Sequence, residues 1–591
     1  MLTQASSNYT RPHVVVVVFD DLGWADVGFH GGNLPTPHLD SFAASGLRLE
    51  RFYTAPECTP ARASLLTGRY SFKLGLQYFD TLVPGSDKGM PPPTIPAMST
   101  ATGGASSSTA SATASATASA TAWTLAEVLG SAGYLCHAVG KWHLGAASRS
   151  THAPTRRGFD SFVGYLGPMV DYFNRTLPTC SGGAAAGSCF YPRNDVAAVV
   201  SVWGGPDHPA LDFWSGNGTL NGTLLADGSE AGTHTSATYA ARFDDIVASH
   251  AAQQKEQPLF VFFSMQLPHV PLQAPPASAL SASAADACAA LGSAEGLAPG
   301  DRSVLCAMVA AMDADLGRAV ASLTDAGLWG ETLVWALSDN GGMPAWGVGQ
   351  VGSSASSNWP LRGGKTTLFE GGVRVTSIVG GGFLPCNSPL GNACGAVIGA
   401  PLLLHAIDVL PTLCRLANAT APEGVDGLDA WDLIASGGGD RVAAARFSGR
   451  SLPVHVDSNA AVDPSGRGDP LAANYSTLIR WPWKLIAGTP TNPATGLAGR
   501  RLFDGWWTVS PYAALPAPPH LNTSHMLFHL ATDEGERYDV SGDFPLVAAA
   551  MRAELDLWAS AARGFVPTGT NKPMPRGNPQ LHNWTWDMYR P

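Results

Sequence analysis

The sequence lacks an apolar segment long enough to cross a membrane. A transmembrane helix needs about 20 consecutive apolar residues, whereas an aliphatic run such as Val14–Phe19 is far shorter. It also lacks an excess of basic residues, since its formal net charge is −11 at pH 7. We therefore expect no membrane span and no nucleic-acid partner, and any anionic substrate would have to bind a local basic pocket.

Paired cysteines of the zinc-binding type are also absent. None of the nine cysteines forms a C-x-x-C pair, which argues against a zinc site. Two pairs lie in loops rich in Gly, Pro and Ser and are predicted to form local disulfides, namely Cys180/Cys189 and Cys386/Cys394. Cys288/Cys306 is a further candidate pair. Two cysteines in apolar segments are predicted to be buried thiols, namely Cys136 and Cys414.

Residues 1–13 contain no apolar core of a signal peptide, so we expect this chain to be a mature or trimmed form. The glycosylation pattern N-x-S/T is nevertheless frequent in polar loops. It occurs at Asn8, Asn174, Asn217, Asn221, Asn418, Asn474, Asn522 and Asn583. This density favours an oxidising compartment, and the protein would be secreted, periplasmic, in a cell wall or lysosomal.

Four short apolar runs read as strands that are buried on both faces of a parallel sheet. They are His13–Phe19, Tyr134–Val139, Leu259–Met265 and Leu333–Ser338. Each is followed by polar residues, and the carboxyl ends of parallel strands share one edge of a doubly wound sheet. These residues are Asp20 and Asp21, Lys141 and His143, His269, and Asp339 and Asn340. We therefore predict a site with oxygen ligands for a metal and with cationic donors.

The remaining chain suggests two domains. Residues 97–122 are almost wholly Ala, Ser, Thr and Gly, which predicts a disordered surface insertion. Residues 1–435 would form a large α/β domain, and residues 440–591 would form a smaller α+β domain. In the smaller domain we expect strands in Ser476–Ile486 and Met526–Leu530 and a helix at Phe544–Ala562. A G-x-G-x-x-G match at 347–352 precedes no helix and is rejected as a dinucleotide site.

Cys58 begins the run C-T-P-A-R-A-S-L-L-T-G, which ends at Gly68. Pro60 suits a first helical turn and Gly68 suits a helix end. Cys58 would then lie at a helix N-terminus, which attracts anions, with Arg62 one turn further on. A buried cysteine beside a surface arginine is the simpler alternative for the motif alone.

The run resembles the sulfatase signature C-x-P-x-R-x-x-x-L-T-G at every fixed position. The resemblance extends over most of the chain through the aspartate pair, G-K-W-H-L-G, Q-x-x-H, S-D-N-G-G and R-G-x-K…E-G-G. The order and spacing are most similar to N-acetylgalactosamine-4-sulfatases and their arylsulfatase relatives. The resemblance implies an alkaline-phosphatase-like fold, with a large, mostly parallel sheet and a small C-terminal domain containing a four-stranded antiparallel sheet.

The resemblance also implies cofactors and roles. A formylglycine-generating enzyme would oxidise Cys58 to formylglycine, and Ca²⁺ would be held by Asp20, Asp21, Asp339, Asn340 and an oxygen of residue 58. The substrate would be a sulfated small molecule or carbohydrate. Arg62, Lys141 and Lys365 would offset charge on the sulfuryl group, and Asp339 would accept a proton. His269 would protonate the leaving alcohol, and His143 would take a proton from residue 58 so that sulfate leaves by elimination.

Other functions fit the same pattern. Phosphodiesterases and phosphonate hydrolases of this fold can carry the same modified cysteine, so they form the alternative enzyme class. A catalytically silent, glycan-binding relative is a second alternative. For Lys141, His143 and Lys365, each taken alone, the simpler alternative is an ordinary solvated loop residue.

Overall fold

The computed structural model describes residues 11–77, 122–145, 152–176, 211–216, 225–226, 230–253, 256–291, 301–344, 354–386, 391–456, 475–488, 506–507, 514–515 and 524–562. Within these ranges no helix combines the length and the apolar character that a membrane span requires. The predicted match at 347–352 and the Cys180/Cys189 pair lie outside the described residues, as do residues 97–121.

A ten-stranded sheet organises the large part of the chain. Its strands are β1 His13–Phe19, β2 Leu47–Leu49, β4 Leu135–Lys141, β5 Ser161–Tyr165, β6 Trp214–Gly216, β7 Leu225–Ala226, β8 Leu259–Ser264, β9 Thr332–Ser338, β10 Ser377–Gly380 and β11 Val397–Ile398. The order is β11-β2-β10-β9-β1-β8-β4-β5-β6-β7. The central strands β9, β1, β8 and β4 are mutually parallel. All seven residues of β1 are buried because branched apolar side chains face helices on both sides.

Helices cover both faces of this sheet. The helices of the described residues are α1 Pro37–Ser45, α2 Cys58–Thr67, α3 Leu125–Ser131, α4 Thr235–Gln253, α5 Ala282–Ala289, α6 Asp301–Asp325, α7 Glu370–Val373, α8 Val409–Leu416, α9 Trp431–Ala435, α10 Arg441–Ser448 and α11 Pro545–Ala562. The last of them, α11, packs instead on the four-stranded sheet of the C-terminal part. One apolar layer contains Leu65 and Leu413, and the opposite layer contains Phe243 and Leu316. Every residue of α2 is buried, and Gly68 ends the helix with a φ of 65°, a conformation that glycine adopts without a steric penalty.

A four-stranded antiparallel sheet lies in the C-terminal part, in the order β13-β14-β15-β18. Its strands are β13 Ser451–His455, β14 Ser476–Arg480, β15 Trp483–Ala487 and β18 His525–His529. Two further sheets have two strands each: β3 Phe52–Tyr53 pairs with β12 Leu404–His405, and β16 Trp506–Trp507 pairs with β17 Ala514–Leu515. The predicted fold class is thereby confirmed. The division at residues 435–440 stays a prediction.

Three local predictions need correction or refinement. The segment 476–486, predicted as a single strand, is a hairpin that turns at Trp481 and Pro482. Pro482 has no N–H for a ladder hydrogen bond, so the strand ends there. Ala122, the last residue assigned to the low-complexity insertion, is 1% exposed and packs in the core. The segment His405–Leu416, which the sequence predicts as one helix, begins with a 3₁₀ turn at Ala406–Asp408, since His405 itself is in β12.

The cysteines behave largely as predicted. Cys288 pairs with Cys306, and Cys386 pairs with Cys394. Cys136 and Cys414 are buried thiols, as is Cys58.

Candidate active site

The polar residues that follow the central strands meet at one edge of the large sheet, as the sequence predicts. The ten predicted site residues are each at most 2% exposed. They are Asp20, Asp21, Cys58, Arg62, Lys141, His143, His269, Asp339, Asn340 and Lys365. Two of them, Asp21 and His143, have positive φ values of 68° and 55°, a strained backbone conformation for residues other than glycine.

Cys58 is the first residue of α2 and lies among charged groups. Its Sγ is 3.5 Å from Asp20 Oδ1, 3.9 Å from Asp21 Oδ1 and 3.3 Å from Lys365 Nζ. Burial and the nearby Asp339 carboxylate raise the pKa of the thiol well above its ordinary value. An unmodified Cys58 would therefore be a protonated thiol and a poor nucleophile at neutral pH.

Arg62 lies one turn along α2 and joins two strand ends. Its Nε and Nη2 donate to Asp339 Oδ2 at 3.0 and 2.8 Å, and Nη2 also lies 3.5 Å from Asp20 Oδ1. Burial acts to lower the pKa of Arg62, but the carboxylates of Asp339 and Asp20 raise it overall. The guanidinium is thus a fixed positive charge in the site.

The aspartate pair is matched by two buried lysines. Lys141 Nζ donates to Asp20 at 3.0 and 2.8 Å, and Lys365 Nζ is 2.7 Å from each Asp21 carboxylate oxygen. Burial tends to raise the pKa of each aspartate, yet the neighbouring cationic groups, of which the lysine has the largest effect, together outweigh it and lower the pKa below the ordinary value. Both aspartates are therefore ionised at neutral pH.

The donor set fits a hard divalent cation. Ligand atoms of four buried residues lie within 4.8 Å of one another, namely Asp20, Asp21, Cys58 and His269. Asp339 Oδ1 accepts from the Asp21 N–H at 3.2 Å, and Asn340 Nδ2 donates to Asp21 Oδ1 at 2.7 Å. Asn340 Oδ1 is buried without a hydrogen-bond partner. Turning that amide about its terminal bond would present this oxygen beside Asp21, as an oxygen-binding cation such as Ca²⁺ requires.

The two histidines have different surroundings. His269 Nδ1 donates to the Val270 carbonyl at 2.6 Å, so its Nε2 accepts from Lys365 Nζ at 3.1 Å. Burial lowers the pKa of His269 to about 4. His143 Nε2 is 3.2 Å from Thr59 Oγ1, while its Nδ1 is buried without a partner. Burial and Lys141 lower the pKa of His143 well below its ordinary value, so the ring is neutral at neutral pH.

Sequence reasoning missed three polar residues that hold this arrangement. Thr59 contacts His143, and Ser264 at the end of β8 accepts from Arg62 Nη1 at 2.5 Å. Asn358 accepts from the Trp24 and Gly342 N–H groups and donates to the Gly342 and Gly363 carbonyls, at 2.9–3.3 Å. Thr59 and Ser264 adjoin a predicted site residue or strand end, so their positions were an available signal. Asn358 has only the neighbouring R-G-G-K segment as a signal.

Comparisons with known proteins identify the family to which this chain belongs. The family profile described as Sulfatase matches residues 12–383. Arylsulfatase J of Mus musculus is 28% identical, covering 98% of this chain and 80% of that protein. Arylsulfatase A of Homo sapiens is 30% identical over 72% of this chain and 68% of its own length. Among solved structures, Ps i-CgsB in complex with k-i-k-neocarrahexaose has a TM-score of 0.61 at 22% identity, covering 97% and 98% of the two chains, which supports the fold.

The family match and these relatives show a sulfuric ester hydrolase, as the sequence predicts. The chain belongs to the sulfatase family.

Proposed function

We propose that the protein is an arylsulfatase-type enzyme that uses formylglycine at position 58 and Ca²⁺ to cleave sulfate esters. One observation carries the proposal. Cys58 begins a buried helix and is surrounded by three fixed cations and three carboxylates, whereas its own thiol has a raised pKa. Burying so many charges around a group costs free energy, and an unreactive thiol gives no return for that cost. The arrangement is explained if position 58 carries a reactive group other than the thiol.

Formylglycine would supply a hydrated aldehyde as the nucleophile toward sulfur. Position 58 favours this group because the surrounding side chains can bind its two hydroxyls. Lys365 Nζ is 3.3 Å from Sγ, and Asp20 Oδ1 is 3.5 Å from it. These distances are suited to one donor and one acceptor for oxygens that replace the sulfur.

Ca²⁺ would be held by Asp20, Asp21, Asp339 and Asn340 together with an oxygen of residue 58, and it would polarise the sulfuryl oxygens. Support comes from the orphaned Oδ1 of Asn340 and from the two adjacent ionised aspartates. His269 has its Nε2 3.6 Å from Asp21 Oδ2 and lies at the edge of this donor set.

The remaining residues take roles that their contacts allow. Arg62, Lys141 and Lys365 offset negative charge on the sulfuryl group in the transition state. Asp339 accepts the proton that residue 58 releases. His269 would protonate the leaving alcohol oxygen from its imidazolium form, because the Nε2 of the neutral ring accepts from Lys365 Nζ and carries no proton. His143, which is neutral, takes the second hydroxyl proton on the ring nitrogen that carries no hydrogen, and sulfate then leaves as the aldehyde reforms.

The substrate is a sulfated small molecule or carbohydrate, and the particular likeness to N-acetylgalactosamine-4-sulfatases stays a prediction. A carbohydrate is supported by the similar Ps i-CgsB structure, which is a complex with k-i-k-neocarrahexaose. Maturation would require a formylglycine-generating enzyme. Two disulfides support an oxidising compartment, so we propose that the protein is secreted, periplasmic, in a cell wall or lysosomal.

Competing hydrolysis tests the proposal. The enzyme is given an aryl sulfate and an aryl phosphate diester together, with Ca²⁺ present, and both products are measured. We expect the kcat/KM for the sulfate to be the larger. Faster cleavage of the phosphate diester would instead identify a phosphodiesterase, and no cleavage by protein that contains formylglycine would identify a binding protein.

A further inference from the structure

The loop that carries Lys365 is held from outside the large sheet. Two residues of the C-terminal part, Lys484 of β15 and Glu536, bind it at two points. Lys484 Nζ donates to Glu370 Oε1 at 3.0 Å, and the Glu370 N–H donates to Glu536 Oε2 at 2.6 Å. Arg362 Nη1 donates to the Glu536 carbonyl at 3.0 Å. Both ends of the segment 362–370 therefore contact the C-terminal part.

These contacts belong to a buried group of charges that we call the inter-sheet cluster. Its members are Arg51, Glu370, Arg374, Lys484 and Glu536. Lys484 lies 2.9 Å from Glu536 Oε1, and Arg51 Nη1 lies 3.2 Å from Glu370 Oε2. Glu370, Lys484 and Glu536 have no exposed surface. Removing one partner would leave an unpaired charge in the interior, which is strongly destabilising.

Glu370 is coupled to Lys365 by a tightly closed loop. The Gly371 N–H donates to the Arg362 carbonyl at 2.7 Å. A Cβ on Gly372 would lie 2.2 Å from the Thr367 carbonyl oxygen and 2.5 Å from that of Gly364. The loop therefore closes only because these positions are glycine, and it has little room to adjust without moving Lys365.

Lys365 is anchored at the other side of the same loop. Its N–H donates to the Gly342 carbonyl at 3.0 Å, and the neighbouring Thr366 N–H donates to the Pro56 carbonyl at 2.8 Å. Lys365 Nζ then reaches Asp21, Cys58 and His269. A shift of the loop at Glu370 would thus be transmitted to the ammonium group that faces residue 58.

We propose that Lys484 is a positioning residue, and that the small sheet fixes Lys365 in the active site through Lys484 and Glu370. The role in catalysis rests on the proposed function, whereas the effect on the position of Lys365 does not. The small sheet would then be a working part of the site, although none of its described strands contributes a residue to the reaction itself.

The first test is Lys484→Met, with Lys73→Met as the matched control. Lys73 is also ion-paired, with Asp426, but it has no contact with the Lys365 loop. Displacing a residue that orients a catalytic group typically lowers activity by roughly 10- to 100-fold. We expect that loss in kcat for Lys484→Met, measured well below its melting temperature, and a kcat close to wild type for the control.

A second variant separates positioning from stability. In Lys484→Met/Glu536→Gln, one buried carboxylate is neutralised, so the melting temperature should recover. The hydrogen bond from Lys484 to Glu370 is still missing, so kcat should stay low. Recovery of kcat together with the melting temperature would overturn the proposal. If Lys484→Met does not fold, this double variant, which also lacks the bond from residue 484 to Glu370, provides the kcat measurement.

A crystal structure of the Lys484 variant tests the geometry without any substrate. We expect Lys365 Nζ to have left its position 2.7 Å from Asp21. An unchanged Lys365 would overturn the proposal whichever ester the wild type hydrolyses. Failure of the proposed function would appear differently, as a wild type that does not cleave sulfate esters.

Discussion

Two buried groups of charges, the active site and the inter-sheet cluster, use similar residues for different purposes. In the active site Lys141 and Lys365 face Asp20 and Asp21, and in the inter-sheet cluster Lys484 faces Glu370 and Glu536. Only the first group places a cysteine beside the charges at the start of a helix, with an orphaned amide oxygen on Asn340. Glu536 Oε1 of the inter-sheet cluster also accepts no aligned hydrogen bond, but it lies 2.9 Å from Lys484 Nζ, so its charge is matched, whereas Asn340 Oδ1 has no partner.

The charges of the inter-sheet cluster are paired with one another. Lys484 lies 3.0 Å from Glu370 and 2.9 Å from Glu536, and Arg51 and Tyr53 both contact Glu370 Oε2. Such a network fixes the relative arrangement of the segments that it joins. Changes in the active site should therefore affect chemistry most, and changes in the inter-sheet cluster should affect stability and geometry.

The largest expected effect is that of Cys58→Ala. Loss of the nucleophile should lower kcat by about 10⁴- to 10⁶-fold, while the melting temperature stays close to wild type because the side chain is small. Cys414→Ala removes another buried thiol, one outside the candidate active site, and should keep full kcat. Steady-state assays with an aryl sulfate measure both variants. Substantial turnover by Cys58→Ala would remove residue 58 from its role.

Removal of calcium should have the next largest effect. At a Ca²⁺ concentration 100 times its Kd, binding stabilises a protein by about 2.7 kcal/mol, so chelation should lower the melting temperature of the wild type and abolish activity. Asp21→Asn should lose activity and also lose this calcium-dependent shift. Thermal unfolding with and without chelator measures it. A shift that persists in Asp21→Asn would place the cation elsewhere.

A smaller, pH-dependent effect is expected from Glu536→Gln. Burial and Glu370 raise the pKa of Glu536 to about 7. The folded protein then holds a proton that the unfolded chain releases near its ordinary pKa, so this group contributes stability below that pKa and the contribution is lost as the pH rises toward 7. The loss is about 2–3 kcal/mol over that range.

The glutamine variant cannot titrate at this position. Its stability relative to wild type should therefore increase between pH 5 and pH 8, whatever constant offset the substitution adds. Urea unfolding at several pH values measures the difference. A difference that does not vary with pH would show that Glu536 keeps an ordinary pKa.

The smallest effect should come from Arg415→Ala, which breaks an exposed ion pair instead of a buried one. Arg415 lies 2.6 Å from Asp432, but its side chain is 43% exposed and Asp432 is 49% exposed. Exposed pairs contribute about 0–1 kcal/mol. We expect unchanged kcat and a change in unfolding free energy of at most about 0.5 kcal/mol. A loss of unfolding free energy as large as that caused by Lys484→Met would contradict the importance assigned to burial.

The sequence predicts the active site well because its residues follow recognisable strands. Asp20, Lys141 and Asp339 each follow or end an apolar run, and parallel strand ends share an edge. Cys58 is identifiable from a continuous motif. The sequence could not reveal the positive φ of Asp21 and His143, since only the folded surroundings impose it.

The inter-sheet cluster could not be predicted for a related reason. Lys484 and Glu370 are 114 residues apart, and a lysine in a hairpin reads as an exposed residue. Asn358 was missed because its role consists of hydrogen bonds to backbone groups of three separate segments. Such contacts depend on tertiary structure and have no local pattern.

The mass of the tryptic peptide that spans residues 52–62 tests the central claim most directly. In an active preparation we predict that this peptide carries an aldehyde at position 58 in place of the thiol. The converted fraction should rise in proportion to kcat across preparations of different maturity. A fully active preparation in which residue 58 is an unmodified thiol throughout would contradict the proposed chemistry.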